Sequence, residues 1–185
     1  MAVLAINGGT PVRTSGWPEW PPDDPGFLQN LTKVIESRVW GVGGEWTERA
    51  CQMMAEYHGA KYAVACTSGT TALELALRAV GVGVGDEVIV PPYTFIATAS
   101  AAIAVGAVPI FVDIDAETFN LNPALIEQAI TERTKAIIAV HIGGSPADMD
   151  AILAVARRHG LAVVEDCAQA HGAIYRGSKI GALGD

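Results

Sequence analysis

Basic residues are scarce: twelve lysines and arginines stand against twenty acids, a formal charge of −8. Such a chain offers no electrostatic footprint for nucleic acid or an anionic membrane, so neither is expected as a partner. Cysteine is scarce too. Cys51, Cys66 and Cys167 are odd in number and lack CxxC spacing, which indicates neither a disulfide framework nor a zinc site. Nothing at the start reads as a secretory leader, because Met1 to Ile6 is a short strand-like run that soon meets Gly8-Gly9. No GK[ST] occurs and no GxGxxG follows a strand; Gly81-Val82-Gly83-Val84-Gly85 lies after a helix and before a strand, the wrong context for a dinucleotide. One uncharged run, Phe95 to Val112, reaches 18 residues. It is rich in alanine and broken by Gly106 and Pro109, so it reads as a buried helix and strand and not as a membrane span. A soluble cytoplasmic protein is the expectation.

Apolar residues are plentiful. Half of the 185 residues are hydrophobic, enough to bury a core for about one domain. Residues 7–26 hold Trp17 and Trp20 among prolines and glycines with no periodicity, so residues 1–26 read as an extended arm that lies against a second subunit or tucks onto its own core. Phe27–Val39 and Thr47–His58 read as amphipathic helices joined by the glycine loop Trp40-Gly41-Val42-Gly43-Gly44. From Tyr62 onward strands alternate with helices. Strands are expected at 62–66, 87–90, 108–112, 136–140 and 161–166, with helices at 72–80, from 95 to before Gly106, at 123–130 and at 148–159. That alternation means right-handed crossovers and an α/β fold, a mostly parallel sheet with helices on both faces.

Four positions carry candidate chemistry. Leu161-Ala162-Val163-Val164 reads as a strand buried on both faces, and it ends in Glu165-Asp166. Ligands bind at the carboxyl ends of such strands, where Asp166 either caps a turn or pairs with a protonated ring nitrogen such as that of pyridoxal phosphate. Ser68-Gly69-Thr70 opens a helix, as a simple cap or as a phosphate site built on free amides. Phe95, at the same edge one strand on, packs in the core or stacks on a flat ring. His141 ends another strand, as a satisfied structural histidine or a substrate contact. Asp113 and Asp115 have no third ligand nearby and read as turn residues, so no metal is expected.

Taken together, Thr67-Ser68-Gly69-Thr70-Thr71-Ala72-Leu73, Gly85-Asp86-Glu87-Val88-Ile89-Val90-Pro91, Thr94-Phe95-Ile96-Ala97-Thr98 and Glu165-Asp166-Cys167-Ala168-Gln169-Ala170-His171-Gly172 resemble one family. The chain is similar, from about residue 27 to its end, to the sugar and aminocyclitol aminotransferases of the DegT/DnrJ/EryC1/StrS family, of the aspartate-aminotransferase fold type. The opening Ile6-Asn7-Gly8-Gly9-Thr10-Pro11-Val12, with Trp17-Pro18-Glu19-Trp20-Pro21, resembles the branch that aminates cyclitol ketones or makes aminobenzoate precursors of antibiotics.

The resemblance implies pyridoxal 5'-phosphate as cofactor and a homodimer as the assembly. It implies glutamate or glutamine as donor and a keto sugar or keto cyclitol as acceptor. It makes Gly69 and Thr70 phosphate ligands, Phe95 the residue stacked on the pyridine, Asp166 the acid on the ring nitrogen, and Gln169 a neighbour of the ring hydroxyl or of the adjoining cofactor face. It also implies that residues 27–185 are the N-terminal portion of a large domain. The family places its Schiff-base lysine beyond the Gly-Asp matched by Gly184-Asp185, and Lys179 lies before that place. A sugar dehydratase of the same fold, with histidine for that lysine, and a non-catalytic phosphate-binding module are the alternatives.

Overall fold

The computed structural model describes residues 3–40 and 43–185. Met1 and Ala2 of the strand-like opening, and Gly41 and Val42 of the glycine loop, lie outside the described residues. Two compact units are found, residues 1–46 and 47–185.

In the first unit, Ala5–Asn7 forms a 3-10 turn closed by left-handed Gly8, which corrects the strand-like reading of that stretch. The chain to Asp24 has no helix or strand beyond it among the described residues. Asp24 accepts the Gly26 amide at 2.8 Å and, with Pro25 preset in φ, starts α1 (Pro25–Ser37) two residues before the apolar spacing suggests. Trp17 and Trp20 are 82% and 89% exposed.

The remaining elements are α2 (Glu45–His58), α3 (Gly69–Ala79), β1 (Glu87–Val90), α4 (Ala97–Ala104), β2 (Val108–Phe111), α5 (Pro123–Ile126), β3 (Thr134–Val140), α6 (Met149–His159), β4 (Ala162–Asp166), β5 (Ile174–Tyr175) and β6 (Ser178–Lys179). The first four strands form one parallel sheet in the order β2-β1-β3-β4. Handedness explains where the helices go. The step from β1 to β2 runs one way across the sheet and places α4 on one face. The steps from β2 to β3 and β3 to β4 run the other way, which requires α5 and α6 on the opposite face. Two core clusters match this. Val88, Val90, Ala136, Ile138 and Val140 pack with Leu73, Leu77 and Ala101. Ile89, Ile137, Ala139 and Val163 pack with Ile126 and Ile152. Alternate strand residues thus serve opposite faces, as a doubly covered sheet demands. Ile137 is fully buried in central β3; Ile137→Ala should cost about 2–5 kcal/mol in a urea titration, and a loss well under that range would contradict its place in the core.

The uncharged run resolves into α4 and β2, and no helix among the described residues is long and apolar enough to cross a membrane. Two expectations are corrected. Residues 62–66 form no strand, because no described strand offers them a ladder; Tyr62 and Val64 stay 75% and 83% exposed. The helix expected through Ile130 is α for one turn only, then tightens into a 3-10 turn at Glu127–Ala129 before Ile130 becomes extended. On the free side of β4, the Asp185 amide donates to the Val163 carbonyl at 2.9 Å while the Asp185 carboxylate accepts the Val163 amide at 2.9 Å.

Candidate functional site

Strand β1 has β2 on one side and β3 on the other, so the chain reverses its direction of travel across the sheet at that point. Loops leaving adjacent carboxyl ends there diverge to opposite faces and leave a crevice. A cleft of about 660 Å³ occupies it, with Tyr93, Thr94 and Phe95 after β1, Phe119 after β2, Gly143 after β3 and Gln169 after β4. Phe95 is 69% exposed, so it is presented to the surface and is not core packing. Gln169 accepts the Gly143 amide at 2.8 Å through its carboxamide oxygen, which leaves its NH₂ group to donate.

Asp166 closes β4, and its carboxylate is held on both oxygens. Buried Thr98 donates to Oδ2 at 3.1 Å and the Ala168 amide donates to Oδ1 at 3.2 Å. Since the Thr98 hydroxyl proton goes to Asp166, Thr98 accepts from Thr94, 2.9 Å away on the cleft wall. Each carboxylate oxygen keeps a further lone-pair direction for an outside donor.

Helix α3 begins at Gly69. Ser68 caps it by accepting the Thr71 amide at 3.2 Å. The first amides of a helix have no intrahelical acceptor, and those of Gly69 and Thr70 are not taken up by the cap. A Cβ built on Gly69 meets nothing within 4 Å, so no neighbour in this chain demands glycine there. Open amides, a helix dipole and empty space suit an approaching phosphate. Gly69 and Thr70 do not line the cleft itself; they share the sheet through Leu73 and Leu77, which pack with Val90 and Val164.

The structure gives His141 other work. It is fully buried, and its Nδ1 accepts the Ala147 amide at 2.9 Å, which puts the ring proton on Nε2, 3.1 Å from Glu165. His141 is therefore placed in the core and away from the cleft lining, both nitrogens engaged.

Glu165 was seen in sequence only as the neighbour of Asp166. It accepts His141 and the amides of Gly181, Leu183 and Gly184 at 2.7–2.9 Å, binding β4 to the segment at 181–184. Burial pushes its carboxyl up, but those hydrogen bonds outweigh burial and hold it below its ordinary value. The ligand atoms of His141, Glu165 and Cys167 lie within 4.8 Å of one another. Burial, with the charges of Glu165 and Asp166, pushes the Cys167 thiol up to about 12, while the hydrogen-bonded brace is made by His141 and Glu165. Asp113 and Asp115 accept local amides and shape a turn, as read from sequence.

The residues present fit a phosphorylated pyridine: amides for the phosphate, an exposed aromatic face for the ring, and a fixed carboxylate for a ring N–H.

The chain is similar to known proteins over most of its length. The description "DegT/DnrJ/EryC1/StrS aminotransferase family" matches residues 22–185. The chain is 49% identical over 186 residues to the L-glutamine:2-deoxy-scyllo-inosose aminotransferase of Streptomyces paromomycinus, covering 97% of this chain and 44% of that protein. It superposes on 3-amino-5-hydroxybenzoic acid synthase with a TM-score of 0.87 at 42% identity, over 92% of this chain and 45% of that one. It also superposes on NtdA of Bacillus subtilis, solved with PMP bound, with a TM-score of 0.75 at 40% identity, over 77% of this chain and 33% of that one. The chain thus spans under half the length of the relatives it matches, and its solved neighbours share its fold.

Proposed function

The chain belongs to the DegT/DnrJ/EryC1/StrS aminotransferase family, and from that premise we propose that the whole protein moves an amino group from glutamine or glutamate to a keto cyclitol or keto sugar in antibiotic biosynthesis. The single observation that carries the reading is Asp166, fixed by Thr98 and Ala168 at the carboxyl end of β4. Pyridoxal 5'-phosphate supplies an electron sink for carbanion chemistry at the amino-bearing carbon. Asp166 holds a proton on the ring nitrogen electrostatically, which keeps that sink strong. The Gly69 and Thr70 amides would take the phosphate, the Phe95 face would stack on the ring, and the Gln169 NH₂ would be free to meet the ring oxygen. His141 positions Glu165 and does not touch substrate. The names of the relatives support glutamine as donor and amino transfer over dehydration. Exposed Trp17 and Trp20 support an arm, residues 1–26, that packs on a second copy, and we place the protein in the cytoplasm as a homodimer.

Full-length protein, given pyridoxal phosphate, glutamine and a keto cyclitol, is expected to yield the aminocyclitol by mass spectrometry. No amination of any hydroxylated cyclic ketone would overturn the reading. Gly69→Val gives a separate check. Since a Cβ there meets nothing, the thermal midpoint should hold. The branched side chain fills the phosphate's approach, so the equilibrium dissociation constant for pyridoxal phosphate should rise about tenfold or more, the scale of one hydrogen bond to a charged group. An unchanged constant would remove Gly69 from the phosphate site.

A further inference from the structure

Three described residues other than glycine have positive φ: Arg38, Phe119 and Arg176. Arg38 ends α1, and Arg176 precedes Gly177 in the two-residue turn between β5 and β6, a turn type that requires positive φ. Phe119, at φ 60°, has a different setting. Its amide closes a turn onto the Asp115 carbonyl at 2.8 Å, and the left-handed residue of such a closure is ordinarily glycine or asparagine. The strain is held from both sides. Asp115 accepts the amides of Glu117 and Thr118, and Ile114 bridges to Leu121. Buried Asn120 donates to the carbonyls of Ser145 and Pro146 and accepts the Ile142 amide, locking the turn to the loop after β3. What this scaffold presents is Phe119, a residue 51% exposed on the cleft wall, its ring centroid 5.8 Å from that of Tyr93. Strain over-determined by its surroundings at a cleft marks a functional position.

We propose that Phe119 and Tyr93 form the acceptor platform of the site and determine its preference for a hydroxylated six-membered ring over an open-chain amino acid; this rests on the function proposed above. The same cleft holds Phe95 and Gln169, so a substrate seated on the platform adjoins the cofactor residues. A cyclohexanone with hydroxyls around its rim has faces of C–H bonds, which match an aromatic wall. Its rim needs polar partners, and Glu117, Thr118 and Ser145 stand beside the two rings on the cleft lining. An open-chain amino acid offers no such face, so the platform discriminates acceptor from donor.

The test uses the full-length holoenzyme. Phe119→Asn removes the ring while keeping a residue that tolerates left-handed backbone. The KM for the keto cyclitol should rise about tenfold, the scale of one aromatic contact. The rate at which glutamine alone bleaches the cofactor's visible absorbance should change less than about threefold. Phe119→Tyr should restore the acceptor KM. Tyr93→Ala, at an exposed loop position, gives the same acceptor-selective rise and stands in if Phe119→Asn does not fold. An acceptor KM within twofold of wild type in the folded variant, with the glutamine reaction intact, overturns the platform and leaves the function standing. Wild-type enzyme that glutamine fails to bleach, and that no other amino acid bleaches, overturns the function and the platform with it.

Discussion

Asp166→Asn in the full-length protein is expected to lower turnover by about 10²-fold or more while leaving the fold intact, because preorganised charge of this kind is commonly the largest catalytic contribution. The structure explains why fold and chemistry separate here. Asparagine keeps an oxygen to accept the Ala168 amide, and its NH₂ replaces the oxygen facing Thr98. The Thr98 hydroxyl can turn to accept that NH₂ and donate to Thr94 at 2.9 Å, so no buried group is orphaned. The negative charge is what goes, and with it the hold on the ring proton. Steady-state kinetics with a melting curve check the prediction. Near-normal turnover would return Asp166 to the status of a turn cap.

The neighbouring acid has the opposite character. Glu165→Gln should destabilise the protein by about 3 kcal/mol or more, since a buried, fully bonded carboxylate loses half its partners. One oxygen can still accept the amides of Leu183 and Gly184, but the NH₂ then faces two further donors, Gly181 and the His141 Nε2–H. Hydrogen exchange at Gly181 should accelerate in step. The pH dependence has a definite sign. The Glu165 carboxyl lies below its ordinary value of 4.5 when folded, so its stabilisation is present above about that pH and is lost as pH falls through the lower folded value. Buried Glu87 adds in the same direction: a hydrogen bond from Thr131, with Arg133 and Thr134, holds it low against burial. A urea midpoint followed from pH 6 to pH 3 should therefore fall less steeply in Glu165→Gln than in wild type, the rest of the slope coming from Glu87 and the other lowered carboxyls, Asp115 and Glu127. An unchanged slope would mean that Glu165 carries no charge-linked stability.

Periodicity made the alternation of strands and helices, the doubly covered sheet and the carboxyl edge legible, because both periods are written in local spacing. Residues 62–66 mark where that reasoning stops. Their composition is that of a strand, but a strand exists only against a neighbour, and pairing is not a local property. Asp166 was legible because a carboxylate at the end of a buried apolar run needs a partner. Glu165 was not, since its partners are backbone amides 16 to 19 residues onward and a side chain 24 residues back. The role of His141 depended on Ala147 and Glu165 and could not be separated from a substrate contact by its own position. Phe119 gave no signal at all, because positive φ at a phenylalanine runs against its propensity and is imposed by Asp115 and Asn120. Residues that defy their local preference are the ones a sequence hides.

The alternation along β4 has a consequence for how this protein can diverge. Glu165 faces the brace and Asp166 faces the site, one residue apart on a strand whose register pairs them with Ala139 and Val140. Deleting Val163 or Val164 from inside β4 would slide Asp166 into the brace and Glu165 out of it, and both duties would fail in one step. The turn from Asp113 to Asn122 is held differently, by the Asp115 carboxylate and the Asn120 side chain and not by strand register. The number of residues in β4 is thus as tightly constrained as the identities of its two acids.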